Sequence, residues 1–202
     1  ATNYYTYAAE LSGGDATADS LAMLRLESEY KNLLLVELPN GDFGRTVARQ
    51  FFFSSFQELL QTQLLRSGDL RLGGIAEKVL KETRYHLRWS AEWMIRLGDG
   101  TDESHRRMQE AVDYLLPFLG EFFLPAPYEK ALFESGLIPD SIGLQAQWAK
   151  NVEEVLLEAT LEADLSNCQV QKGGKQGVHT EYMGYILAEL QFMQRTYPGL
   201  EW

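Results

Sequence analysis

One uninterrupted amphipathic stretch, from about Leu70 to Gly98, limits what this chain can fold into. At helical spacing one face runs Leu72, Ile75, Val79, Glu82/Thr83, His86, Trp93 and Leu97, and a second apolar row, Leu80, Leu87 and Met94, lies beside it. Lys78, Lys81, Tyr85, Arg88, Glu92 and Arg96 make up the side expected to meet water. A helix of this kind needs other helices to cover its apolar side. The first face is expected to enter that core, which would carry Glu82 and His86, one turn apart, into the interior.

The flanking sequence supplies the partners. Residues 44–66 predict a strong helix with Val47, Ala48, Phe51, Phe52, Phe56, Leu59, Leu60 and Leu64 on its apolar positions. The Ser67-Gly68-Asp69 turn then lays it antiparallel to the central helix. Thr101 is the predicted cap of a further long helix, with Asp102 and Glu103 in its first turn, where negative charge suits the helix dipole. That helix carries Met108, Val112, Leu115 and Leu119 and takes Pro117 into its length. Later come a short helix over 128–133, a long one opened by Asp140 or Ser141 and running to about Leu161, and a last one over 180–196 stopped by Pro198 and Gly199. At the front, residues 3–11 read as the tail of a helix ended by Gly13 and Gly14, and Asp19 or Ser20 caps a short helix after it. Leu33 to Val36 could pass for a strand. With no second strand to pair with, it reads better as a buried connecting loop. The period of two that marks strands is absent, so the expectation is an all-α bundle of long antiparallel helices, one domain over residues 1–202. Because the chain opens inside a helix and without a methionine, further N-terminal helices are expected to precede it.

A formal net charge of −11 speaks against nucleic acid or an anionic membrane as partner, since both would repel it. The lone Cys168 allows no internal disulfide, which suits a reducing compartment. No signal-peptide pattern is read, and no apolar run approaches the ~20 residues of a membrane span. A cytoplasmic protein is expected.

Helical bundles that hold a pair of irons draw a Glu from each of two helices and a Glu-x-x-His from each of two others, because residues three apart share a face and can reach one ion. None of the three histidines here has a Glu three residues earlier: Thr83 precedes His86, Asp102 precedes His105 and Gln176 precedes His179. Glu58, Glu82 and His86 are the candidates for a degenerate site, and the opposing helix offers Ser54 and Ser55 at its centre. Glu158 and Glu162 read as solvated. The pair Glu82 and His86 is expected to be buried and mutually hydrogen-bonded, filling a former metal position. Asp102 with His105 reads as capping rather than ligation. Cys168 has no histidine near it in sequence to make it a nucleophile. A second stretch, Lys172, Gly173, Gly174, Lys175 and on to His179, precedes a helix N-terminus. Its glycines and lysines could meet an anion, form a mobile basic loop, or dock against a partner protein.

The runs 7–13 (YAAELSG), 32–41 (NLLLVELPNG), 47–50 (VARQ), 81–88 (KETRYHLR), 98–102 (GDGTD), 173–181 (GGKQGVHTE) and 187–191 (LAELQ) resemble, in order and over nearly the whole chain, the C-subunit family of the bacterial phenylacetyl-CoA ring-1,2-epoxidases, or phenylacetyl-CoA monooxygenases. The resemblance implies a ferritin-like fold with an extra N-terminal segment of about two helices. It further implies a complex that epoxidises the aromatic ring of phenylacetyl-CoA with dioxygen and electrons from a separate reductase subunit. In that family the di-iron centre belongs to the catalytic A subunit, and the family to which this chain is similar provides its non-catalytic bundle partner in aerobic phenylacetate degradation. No cofactor would then belong to this chain. The alternative is a di-iron oxygenase or metal-binding bundle in its own right, using Glu58, Glu82 and His86 as residual ligands.

Overall fold

A computed structural model of the chain describes residues 1–165 and 170–200. Among these residues the regular structure is all helical, in eight α-helices: α1 (Thr2–Ser12), α2 (Ala18–Met23), α3 (Phe43–Leu64), α4 (Leu70–Gly98), α5 (Asp102–Leu119), α6 (Pro127–Glu134), α7 (Gln145–Glu158) and α8 (Tyr182–Thr196), with short 3-10 turns between them. The chain groups into two compact units, one from Ala1–Leu38 with Lys172–Trp202 and one from Pro39–Gln171. Cys168 lies outside the described residues.

The larger unit is built on the α3–α4 hairpin. Asp42 opens α3 by accepting from the Arg45 amide at 2.9 Å, and Asp69 opens α4 by accepting from the Arg71 and Leu72 amides. Each cap removes orphan donors from a helix start, worth about 1 kcal/mol. α5 and α7 pack across both helices of the hairpin. Thr101 caps α5, as expected from the sequence, and the Ser104 hydroxyl caps the Thr101 amide in return. The core is aromatic on the α3 side: Phe51, Phe52, Phe56, Phe122 and Trp148 are buried, with Phe56 stacked on Phe122 at 4.8 Å. Trp148 sends its indole N–H to the Phe52 carbonyl at 3.4 Å, so its one polar atom is not stranded.

α4 meets its neighbours through small residues. Gly73, Ala76, Ser90 and Gly98 are all buried. A Cβ on Gly98 would stand 2.3 Å from the Ala159 carbonyl oxygen, so only glycine fits where the end of α4 meets the end of α7. Thr160, next in the chain, takes φ +58, a left-handed conformation that costs a β-branched residue about 1–2 kcal/mol. Its hydroxyl donates to the Gly98 carbonyl at 3.3 Å, and His105 Nδ1 lies 2.8 Å from the same oxygen. α7 therefore stops at Glu158, short of the expected Leu161, and Glu162 lies in the loop beyond, its amide bonded to Gln109 Oε1.

In the smaller unit α8 packs against α2 and two 3-10 turns, and α1 packs against α2. The centre of the unit is Tyr30, Met183 and Leu187. The Tyr30 hydroxyl donates to the Ala22 carbonyl at 3.0 Å, and Gln191 Nε2 bonds the Arg25 carbonyl. Thr17 caps α2, in place of the expected Asp19 or Ser20, because its hydroxyl and that of Ser20 cap each other. The apolar 33–36 run becomes a buried 3-10 turn, Leu34–Glu37. No helix among the described residues is long and apolar enough to cross a membrane.

Gly98→Ala is expected to destabilise the protein by about 2 kcal/mol or more, because backbone rather than a flexible side chain must yield. Urea unfolding of the variant beside the parent measures the difference.

Candidate functional site

Glu82 and His86 sit on one side of α4, one turn apart, with Nε2 3.7 Å from Oε1. That side faces water: the His86 side chain is 43% exposed and the Glu82 side chain 75%. The buried, hydrogen-bonded pair expected from the sequence is thus corrected to an exposed one. The reason is the rotation of α4. Its buried positions are Gly73, Ile75, Ala76, Leu80, Thr83, Ser90, Met94 and Gly98, so Leu80, Met94 and the small residues point inward, while Leu72, Val79, His86, Trp93 and Leu97 of the first row are only partly buried. Exposed ion pairs at this spacing contribute about 0.3–0.5 kcal/mol when both partners are charged.

Glu58 does not join them. Its carboxylate accepts from Arg84 Nε at 3.2 Å and lies 3.4 Å from the Thr62 hydroxyl. The middle of the hairpin holds neutral donors and acceptors instead: Ser54, Ser55, Thr83 and Ser90 are buried. Ser54 accepts from Gln50 Nε2 at 2.7 Å, and Ser90 donates to the His86 carbonyl at 2.7 Å. Hydroxyls and an amide are not the carboxylate and imidazole set that iron requires. Among the described residues no three of His, Cys, Asp and Glu gather as metal ligands would. The residues present at this position do not fit a di-iron centre.

The second candidate stretch packs closely against the 28–37 segment. Gly174 lies against the 28–37 segment so closely that a Cβ would be 2.3 Å from the Asn32 carbonyl oxygen, and the Asn32 amide donates back to Gly174. Gly177, at φ +81, makes the same approach to the Ser28 carbonyl. The glycines serve chain-to-chain contact, and the amides of Gln176, Gly177 and Val178 are spent on the carbonyls of Gly173 and Gly174. Lys175 is buried and Lys172 exposed.

His179 has a partner that sequence reading missed. Glu37 is 2% exposed, and its carboxylate accepts from four donors: Asn32 Nδ2 and His179 Nδ1 at 2.7 Å, and the amide and hydroxyl of Thr180 at 2.8 Å. Because a carboxylate only accepts, His179 carries its proton on Nδ1. Nε2 is buried and has no hydrogen-bond partner among the described residues. An acid inside the run Leu33–Leu38 was the available signal, since a buried carboxylate has to be paired.

Elsewhere, burial together with the Glu129 and Glu121 carboxylates pushes the Tyr128 phenol up to about 12, so it remains a donor at all ordinary pH. Glu103, on the exposed face of α5, is held below the usual carboxylate range by hydrogen bonds from Arg106 and Arg107. An open cleft between α5 and the loop after α7 is lined by Asp113, Glu162 and Asp164 beside Leu116.

Similarity to known proteins extends over the chain from end to end. The model of a family described as phenylacetic acid catabolic protein matches residues 1–202. A curated relative from Escherichia coli (strain K12), the C subunit of its 1,2-phenylacetyl-CoA epoxidase, is 44% identical over 202 residues, which is all of this chain and 81% of that protein.

Glu37→Gln is expected to cost about 3 kcal/mol, because the new amide brings donors of its own to face a set of four. Thr180→Ala, which removes one donor and leaves the carboxylate three, is expected to cost about 1 kcal/mol. Urea unfolding orders the two, and faster proteolytic nicking near residue 175 in the first variant marks release of the clamp.

Proposed function

The chain belongs to the phenylacetic acid catabolic protein family, and from that premise we propose that it is the non-catalytic, structural subunit of a multicomponent phenylacetyl-CoA 1,2-epoxidase. In this reading it pairs with and steadies the catalytic A subunit in the cytoplasm during aerobic phenylacetate degradation. The relative in Escherichia coli is named as the C subunit of such an enzyme. A di-iron centre in the A subunit supplies the oxygen-activating chemistry, and a reductase subunit supplies electrons. The present chain contributes shape and contact.

The observation that carries the proposal is the disposition of the three histidines. His86 points outward beside Glu82, His105 is tied to the Gly98 carbonyl and His179 is taken up by Glu37. Each is committed to a different element, and the place where a bundle of this kind would collect ligands holds serine and threonine. A rigid helical unit with a neutral centre can support a neighbour without competing with it for metal.

The chain produced alone is expected to carry sub-stoichiometric iron and to co-elute with the A subunit when the two are mixed. Complex assembled with His86→Ala is expected to epoxidise at the parent rate. Iron bound stoichiometrically by the isolated chain, with dioxygen consumption that His86→Ala abolishes, would overturn the proposal in favour of an oxygenase working through Glu58, Glu82 and His86.

A further inference from the structure

Pro39, Asn40 and Gly41 open the larger unit, and this is the one place in the sequence where glycine follows an asparagine. The order matters chemically. An asparagine side-chain carbonyl lies within one ring closure of the next backbone nitrogen, and a Cβ on that next residue crowds the approach. The other asparagines, at positions 3, 32, 151 and 167, precede Tyr4, Leu33, Val152 and Cys168, each of which carries a Cβ.

The local structure leaves the reacting groups available and sets charge beside them. Asn40 and Gly41 are both exposed, Gly41 takes φ +62, and its amide donates to no backbone carbonyl among the described residues. The Asn40 carbonyl accepts from the Thr46 hydroxyl at 3.0 Å, which fixes the main chain. Arg45 and Arg49, one turn apart on α3, both reach back to the dipeptide. Arg49 Nη2 donates to Asn40 Oδ1. Arg45 crosses Gly41 so closely that a Cβ there would lie 2.7 Å from its Cδ and 3.2 Å from Nη1. The Arg45 guanidinium rests on the Tyr114 ring at 4.0 Å, which holds it in place.

When a nitrogen adds to Asn40 Cγ, negative charge develops on Oδ1. A charged donor already seated on that oxygen stabilises the transition state more than the ground state. The Arg45 charge beside Gly41 favours loss of the amide proton on which the attack depends.

We propose that Asn40 is a site of self-modification, at which the Gly41 nitrogen closes on Asn40 Cγ to give a cyclic imide while Arg49 holds the developing oxyanion. The Gly41 amide proton passes to water and the N–Cγ bond forms. The Cγ–Nδ2 bond then breaks, and the side-chain nitrogen leaves as ammonia. Water opens the ring at either carbonyl, leaving aspartate or isoaspartate at position 40, so water is the sole co-reactant. The aspartate form sets a carboxylate against Arg49, whose guanidinium burial pushes down, and is expected to unfold at or above the parent urea midpoint. The isoaspartate form inserts a methylene into the main chain just ahead of the Asp42 cap and is expected to unfold below it.

The full chain is incubated at neutral and mildly alkaline pH and digested. Mass spectrometry then follows the peptide spanning Asn40, and an isoaspartyl methyltransferase reports isoaspartate. Conversion at Asn40 is expected to outrun that at Asn32 and Asn151, to quicken as pH rises, and to be lost in Asn40→Gln. Arg49→Gln is expected to slow it by about tenfold or more in the folded chain, through loss of a charged oxyanion donor, and to leave the rate in urea unchanged. Arg49→Lys keeps a charge within reach of the same oxygen and is expected to fall between the two, which covers the case in which glutamine loosens α3. A parent that keeps its amide at Asn40 as long as at Asn32 and Asn151 overturns the site. Folded Arg49→Gln and Arg49→Lys chains that convert as fast as the parent, or faster, show that the arginine only restrains the loop and overturn the assisted closure.

Discussion

Close approach of backbones along the inner side of α4 governs the larger unit. Gly73, Ala76, Ser90 and Gly98 keep that side thin, and the contact of Gly98 with the Ala159 carbonyl leaves no room for even one methyl group. Once thin residues must face inward, the helix has no rotational freedom left. Glu82, Tyr85, His86, Trp89 and Trp93 are then carried toward its outside or flanks whatever their chemistry would prefer. The strained Thr160 and the His105 ring are arranged around the same junction, so three elements meet where one glycine permits it.

That constraint also explains which parts of the architecture could be read in advance. The bounds of α4, the Thr101 cap and the antiparallel hairpin follow from local signals: periodicity, a capping hydroxyl and a turn of three polar or flexible residues. The orientation of α4 does not, because a glycine or serine contributes nothing to an apolar pattern and yet sets which side can be approached. Weight given to bulky residues selects the row of Val79, His86 and Trp93, which is only partly buried, and the buried side lies under Ala76, Leu80, Ser90 and Met94. Glu37 was hidden for another reason. Its histidine partner is 142 residues away in sequence, beyond the reach of any window, and only the oddity of an acid among leucines pointed to it. The 173–177 glycines look the same whether they cradle an anion or a neighbouring backbone, and the structure assigns them to the backbone.

The neutral centre of the hairpin has a bearing on division of labour. Carboxylates gathered in a bundle interior repel one another unless a cation holds them, so a bundle that keeps them needs its metal to be stable. Ser54, which accepts from Gln50, and Ser90, which donates to a helix carbonyl, carry no such dependence.

The clamp on Glu37 has a consequence for how the protein is made. The smaller unit is assembled from Ala1–Leu38 and Lys172–Trp202, so its two halves leave the ribosome with the whole of the other unit between them. The long helices of residues 39–171 can collapse while translation continues. The earlier half, with an unmatched carboxylate and the leucines beside it, must wait in a nascent state until His179 and Thr180 emerge. Chaperone demand during synthesis should therefore fall on the segment around Glu37, and be relieved only after the rest of the bundle has been made.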